Sequence, residues 1–298
     1  NFDDKVIMGY RFSLEDKSDV VAEGFDPYLN IRRAFLPEDE DFYWVSIDFS
    51  SQELRIPCNL SKEPVWLEAF NSEDGDPHKA TAIKLFGEEN YDRDKRKKAK
   101  GMNFGLLYGM SKYSVKDRFN MDTIKEAENF VNQYKSTLNT LFAWEERMKK
   151  NARKNGTVYT YFGRPRRLKW YFNHEKSGMR AFAYRSAINS PIQGAGSDIL
   201  KIALIKLWEN VFTNTDYMED VIFMSTVHDE VNFSVRKNKV EESLPAIMKN
   251  MEIEVPGWQV DMEADFEIGS SWGQIFEFEY NDEGEIVPSV EPAEDYGM

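Results

Sequence analysis

The chain has 298 residues, with 41% apolar and 14% aromatic side chains, which is the content of one large packed domain or two intimately packed ones. A single cysteine, Cys58, excludes an internal disulfide and makes a reducing compartment the default. No apolar run approaches the roughly 18 residues of a membrane-spanning helix, no signal peptide opens the chain, and a formal net charge of −14 taken as a sum argues against nucleic acid.

Charge distribution weakens that last objection. Basic residues cluster in RDKRKKAK (93–100), RMKKNARK (147–154) and GRPRRLK (163–169), and local clusters decide binding more than the sum does. Each cluster also reads as a solvated surface, the second most readily. The stretch after Phe276 carries acids and no base and is expected to be a disordered tail. Because the chain begins with Asn1, it reads as a processed or truncated piece of something longer.

In chain order, YWVSIDFS (43–50) predicts a strand ending at a polar turn. DPHKATAIKLFG (76–87) predicts a helix with Asp76 as N-cap, Pro77 in its first turn and Gly87 as its stop. KRKKAKGMNFGLLYGM (95–110) predicts the next helix, in which Arg96, Lys100, Phe104 and Tyr108 recur every four residues. Each step of four turns the position by only about 40°. The result is one slanted stripe of two cations and two aromatics. Such a stripe suits a ligand that is anionic at one end and a flat ring at the other, as a nucleoside triphosphate is. It reads equally as a solvated helix start followed by core aromatics. Gly101 and Gly105 each cost about 1 kcal/mol of helix propensity relative to Ala, which suggests a close backbone approach.

An amphipathic helix is expected over 122–154, stopping at Asn155-Gly156, and TVYTYFGRPRR then suggests a strand and turn. A helix over 176–211 contains Pro191 and is expected to break or kink there. DVIFMSTVHDEVNFSV (220–235) predicts two strands about a tight His-Asp-Glu turn, VEESLPAIMKNME another helix, and WQVDMEADFEIG the closing strand. Together these elements give an α+β core with a helical insertion.

Asp48 ends the first strand and Asp229 sits in the hairpin turn. Carboxylates at strand ends suit Mg²⁺, which takes one or two of them and completes its shell with water and phosphate. Brought close, two such carboxylates repel one another unless cations intervene. Taken singly, Asp48 reads as a helix cap and Asp229 as a turn residue.

In combination these segments carry a family likeness. DFSSQELRI, RDKRKKAKGMNFGLLYG and VHDEV resemble motifs A, B and C of the family A DNA polymerases, the bacterial DNA polymerase I class shared by many phages. DPHKATA, RSAINSPIQGAGSDIL and GSSWGQ resemble segments that lie between and after those motifs, in the same order, over roughly residues 9–274. The resemblance implies a right-hand palm with an antiparallel sheet, in 1–61 and 181–274, a largely helical fingers insertion in 62–180, and an acidic tail in 275–298. It implies template-directed addition of deoxynucleotides to a primer 3′-OH, with two Mg²⁺ ions and dNTPs. Asp48, Asp229 and the Phe49 carbonyl would bind metal. Arg96, Lys100 and His78 would hold the triphosphate, with Lys100 also protonating the leaving pyrophosphate. Phe104 would stack by base and sugar, Tyr108 would pack behind the templating position, Glu53 would gate the sugar, and Ser51 would join the nucleotide contacts. Arg11, Arg185, Asn189, Gln193, His228 and Glu230 would touch primer and template.

The chain departs from the family pattern in three places. Thumb and exonuclease do not precede these motifs, so an upstream segment or a separate chain is expected to supply them. YRFSLEDKSDVVAEGFDPYLNIRRAF stands where relatives carry N-L-Q-N-I-P, and Ser51-Gln52 stands where many carry Gln-Ile. Competing readings are a single-subunit RNA polymerase, against which Glu53 argues, and a non-catalytic DNA-binding subunit, against which the intact Asp48, Asp229, Arg96, Lys100 and Tyr108 argue. The expected setting is the cytoplasm of a bacterial or phage-infected cell, with no membrane partner.

Overall fold

The computed structural model describes residues 31–289, so Arg11 and the last residues of the expected tail lie outside the described residues. Elements run β1 (Phe42–Phe49), α1 (Gln52–Ser61), α2 (Pro64–Phe70), α3 (Pro77–Phe86), α4 (Arg93–Leu107), α5 (Lys112–Arg118), α6 (Ile124–Thr137) and α7 (Asn139–Asn155). They continue β2 (Thr157–Tyr159), β3 (Pro165–Arg167), α8 (Lys169–Phe172), α9 (Ser177–Leu207), β4 (Val221–Val227), β5 (Glu230–Arg236), α10 (Val240–Met251), β6 (Ala264–Ser271), β7 (Gln274–Tyr280) and β8 (Ile286–Pro288). The chain divides into two compact units, a sheet unit and a helical unit, with changeovers after Ser50, Asp198, Glu254 and Asp261. These differ from the changeovers expected after 61 and 180. Among the described residues no helix is long and apolar enough to cross a membrane.

The sheet unit is one antiparallel sheet in the order β4-β5-β1-β6-β7-β8. Strand periodicity sorts its side chains. Val45 and Ile47 pair with Phe233 and Val231 on one side and with Ile268 and Phe266 on the other, making an apolar face. All six are buried, and α10 packs on β1 and β5. The opposite face carries Trp44, Ser46 and Asp48, so the same alternation that builds the core delivers the polar row.

Two expectations fail in this unit. Residues 274–280 and 286–288 form β7 and β8 and not a disordered tail. Acidic composition hid an alternating IFEFEY pattern whose Phe278 is buried opposite Phe266. β6 is therefore not the closing strand, and it begins only at Ala264.

In the helical unit, α3 has the expected signals: the Asp76 side chain accepts from the backbone N–H groups of His78 and Lys79, and Gly87 follows its end. The helix expected over 122–154 is two helices, parted at Leu138, whose backbone is not helical. The restart is capped from a distance: the buried Glu63 carboxylate accepts from the Leu141 N–H at 3.0 Å and the Val65 N–H at 3.3 Å. α9 continues through Pro191 without the expected break, with Ala187, Ile188, Ile192 and Ala195 buried along it. Losing one helical hydrogen bond at Pro is offset by that packing. The β2–β3 hairpin is tied to α9 by Arg164 and Thr160, which reach Asp198 at 2.9 and 2.7 Å.

Candidate active site

In the sheet unit, Asp48 stands directly opposite Asp265 on β6. Continuing the β1–β5 register beyond Ile47↔Val231 sets Asp48 level with Glu230. Glu230, Asp48 and Asp265 thus line up across three neighbouring strands on one face. Partial loss of hydration, then the charges of Asp229, Glu230 and Asp265, push the Asp48 carboxyl up to about 7, against the lowering effect of a hydrogen bond from the Phe49 backbone.

Asp229 occupies the two-residue turn that joins β4 to β5, whose last ladder pair is Val227↔Glu230. His228 before it has φ 59°, a region rare outside Gly and favoured by tight hairpins. Ser51, just past β1, has φ 49° and caps α1 with no side-chain hydrogen bond. A non-glycine residue in a left-handed conformation therefore lies within three residues of each carboxylate. Glu230 is held from two sides: its Oε1 accepts from the Trp272 indole at 2.8 Å and from the Ser46 hydroxyl at 3.0 Å. Behind it, Asn232 Oδ1 accepts from Trp44 at 2.8 Å.

Crowded carboxylates such as these, with the Asp48 carboxyl raised, fit hard divalent cations, which relieve the repulsion. Among the described residues no three His, Cys, Asp or Glu side chains close a metal cage on their own.

In the helical unit, α4 carries Arg96, Lys100 and Phe104 on successive turns, while Tyr108 is its C-cap and not a helical residue. Its stop is a Schellman motif: the Gly109 N–H donates to the Leu106 carbonyl at 3.0 Å and the Met110 N–H to the Gly105 carbonyl at 2.7 Å, with Gly109 at φ 85°. The close approaches expected at the glycines are present. Met110 folds against Gly105, and Phe119 and Arg118 lie over Gly101. A cavity of about 760 Å³ is lined by Arg93, Arg96, Lys97, Lys100, Arg118, Tyr91 and Phe104. Its volume lies in the range of ordinary ligand sites.

Arg96 Nε lies 2.6 Å from Asp76 Oδ2, so one carboxylate both caps α3 and holds the first cation of the stripe. His78 is buried, with its ring 5.5 Å from Phe104. Its Nδ1 lies 2.9 Å from the Asn103 amide. Burial, with lesser help from Lys100 and Arg96 and against Asp76, pulls its pKa down to about 4, so it is neutral at pH 7. Glu53 is exposed in the first turn of α1. Arg185 lies against Gly109, at the end of α4. Asn189 and Gln193 follow it at steps of four on α9, and among the described residues neither side chain makes a hydrogen bond.

Sequence reasoning missed Asp265, Ser46, Asn103 and Arg118. Asp265 carried a signal, since the alternation of ADFEIG puts it on the polar face; the others depend on contacts between distant segments.

The model of DNA polymerase family A matches residues 26–274. DNA polymerase I of Streptococcus pneumoniae R6 is 35% identical over 245 residues, covering 81% of this chain and 27% of the relative. DNA polymerase I of Pseudomonas aeruginosa PAO1 is 35% identical over 251 residues, covering 82% and 26%. This chain thus spans about a quarter of the length of these relatives. The POL domain of Pol1 from M. smegmatis, solved in complex with DNA primer-template and dNTP, aligns with a TM-score of 0.73 and 28% identity, over 82% of this chain and 42% of that one.

Proposed function

Because this chain belongs to DNA polymerase family A, we propose that it carries the centre that adds deoxynucleotides to a primer 3′-OH under direction of a template, in the cytoplasm of a bacterial or phage-infected cell. The observation that carries this reading is the acid row Glu230–Asp48–Asp265, with Asp229 in the adjoining hairpin turn. The POL domain's primer-template and dNTP complex supports it as a precedent.

In this reading Asp48, Asp229 and the Phe49 carbonyl would hold two Mg²⁺ ions, which when bound would supply charge neutralisation for the phosphoryl transfer. The primer 3′-hydroxyl gives up its proton to solvent water and its oxygen bonds to the α-phosphorus as the α–β phosphoanhydride bond breaks and pyrophosphate leaves. Arg96 and Lys100 hold the phosphates by charge-assisted hydrogen bonds, and Lys100 gives the leaving group its proton. His78, being neutral, donates one hydrogen bond and no charge. Phe104 stacks beside base and sugar, and Tyr108 packs behind the templating position. Glu53, with Ser51 next to it, excludes the ribose 2′-OH by collision and by desolvation of its carboxylate. Arg185, Asn189 and Gln193 read the duplex minor groove, His228 reaches the primer end, and Glu230 orients the hairpin. Arg11 joins the primer-template contacts, and further polypeptide, in this chain's own protein or a partner, grips the duplex.

Primer extension with Mg²⁺ at low salt, comparing dNTPs with rNTPs, tests the reading. Extension with dNTPs alone is expected, and Glu53→Ala is expected to erode the preference. A thousandfold preference corresponds to about 4 kcal/mol. Equal use of rNTPs by the unaltered chain would overturn the gate.

A further inference from the structure

We propose that Asn103 is a positioning residue that fixes the tautomer of His78, presenting its Nε2–H as a donor to the anionic end of the nucleotide. This rests on the reading of the α3–α4 surface as the triphosphate grip. A chain of hydrogen bonds with one consistent direction leads to the ring. Tyr134 is fully buried and its hydroxyl lies 2.7 Å from Asn103 Oδ1. Burial raises its pKa well above the ordinary value, so it stays a phenol and donates. Thr81 has no proton to spare: its hydroxyl donates to the Pro77 carbonyl at 2.7 Å and accepts from the Trp66 indole at 3.0 Å. Asn103 Nδ2 faces that hydroxyl at 3.4 Å and His78 Nδ1 at 2.9 Å.

With the amide this way round, every group in the chain is satisfied. Turned over, it would leave the Tyr134 proton without an acceptor and set Oδ1 against the Thr81 oxygen. Orphaned groups of this kind in a buried site cost about 1–3 kcal/mol each. The amide therefore donates to Nδ1, Nδ1 accepts, and the one ring proton of the neutral imidazole resides on Nε2. The charged groups bearing on the ring, Asp76 from one side and Lys100 and Arg96 from the other, do not change that assignment, because none of them takes the place of Asn103 at Nδ1. The anchors come from four helices: Trp66 from α2, Thr81 from α3, Asn103 from α4 and Tyr134 from α6. A ring so braced loses no orientational freedom when phosphate arrives.

The test is ¹⁵N-edited NMR of the imidazoles in the full chain. The chain has three His, and His78→Gln identifies the signals that belong to position 78. The unaltered protein is expected to show only the Nε2–H form at neutral pH. Asn103→Asp places an acceptor against Nδ1 and is expected to draw the proton there. Tyr134→Phe, which removes one hydroxyl from a conserved shape, is expected to release the amide and yield both tautomers, with the KM for dNTP raised several-fold and kcat changed less. An Nδ1–H form in the unaltered protein, or an unchanged Nε2–H form in Asn103→Asp, would overturn the proposal. The NMR readout needs no nucleotide, so a failure of the polymerase reading shows separately, as absence of dNTP binding by the unaltered chain.

Discussion

Asp48 and Asp265 face each other across the β1–β6 ladder, two carboxylates in directly opposed positions of an antiparallel pair. Like charges so placed destabilise a sheet. Here Glu230 and Asp229 add to the repulsion, and the Asp48 carboxyl is raised to about 7 as a result of its lost hydration and these neighbours. A divalent cation at this row, as proposed above, would relieve that repulsion.

The first prediction separates stability from activity. In metal-free buffer Asp48→Asn and Asp265→Asn should each raise the melting temperature, since each removes a like-charge contact worth about 0.2–1 kcal/mol, and roughly 2–4 °C accompanies each kcal/mol in a domain of this size. Asp48→Asn should abolish nucleotide incorporation, whereas Asp265→Asn should retain it. Calorimetry beside an incorporation assay reads both. A drop in melting temperature for both variants would contradict the repulsion argument.

The second concerns Asp76 and Arg96. Partial burial pushes the Asp76 carboxyl up, but hydrogen bonds from Arg96, Lys79 and His78 and the Arg96 charge outweigh it and hold the carboxyl below the ordinary value. A depressed carboxylate stabilises the fold above its unfolded pKa of about 3.9, and that stability is lost as pH falls through the folded value. Asp76→Ala should cost about 1 kcal/mol as a lost cap at pH 7 and flatten the acid limb of the stability profile. Asp76→Asn keeps an acceptor for the helix N–H groups, so it should cost less while still weakening dNTP binding through the freed Arg96.

The third is a pH dependence placed on α7. Glu145 is buried, its Oε1 has no hydrogen-bond partner, and Lys149 lies 3.5 Å from its Oε2. Burial raises its carboxyl to about 7, opposed by Lys149. A raised carboxyl gives its full stability below the unfolded pKa of about 4.3, and that stability is lost as pH rises through about 7. The loss is on the order of 3 kcal/mol. Glu145→Gln should therefore melt higher than the unaltered chain at pH 8 and no higher at pH 4.5. Parallel profiles would refute this, and taking the difference between the two proteins cancels the contribution of Asp48.

The fourth tests the support behind Glu230. Trp272→Phe keeps the ring that stacks near Trp44 but removes the indole N–H bonded to Glu230. Hydrogen bonds to charged groups are worth about 1.5–3 kcal/mol, so the variant should lose stability of that order and incorporate more slowly, with the KM for dNTP little changed. A change confined to KM would place Glu230 in nucleotide binding instead.

Much of this was legible because local chemistry carried it. Asp76-Pro77 announced the start of α3, and the His228-Asp229 turn separated two apolar strands, whereas the stop of α4 before Tyr108 was not foreseen. What stayed hidden depended on distance. The break at Leu138 is made by Glu63, whose carboxylate reaches the Leu141 N–H across 78 residues of chain. The role of Asn103 needed Tyr134 and Thr81 brought to it by separate helices. At the other extreme, β7 was written plainly in IFEFEY, and the acidity of that stretch outweighed its alternation.

In the proposed function Asp48 and Asp229 serve one metal-dependent nucleotidyl transfer. Single-turnover incorporation of one correct dNTP into a primer-template in saturating Mg²⁺ tests it most directly, comparing the unaltered chain with Asp48→Asn and Asp229→Asn. Expected are incorporation by the unaltered chain, no incorporation without Mg²⁺, and a loss in either variant of at least about a thousandfold, or about 4 kcal/mol of transition-state stabilisation. Incorporation by both variants at the unaltered rate would contradict it.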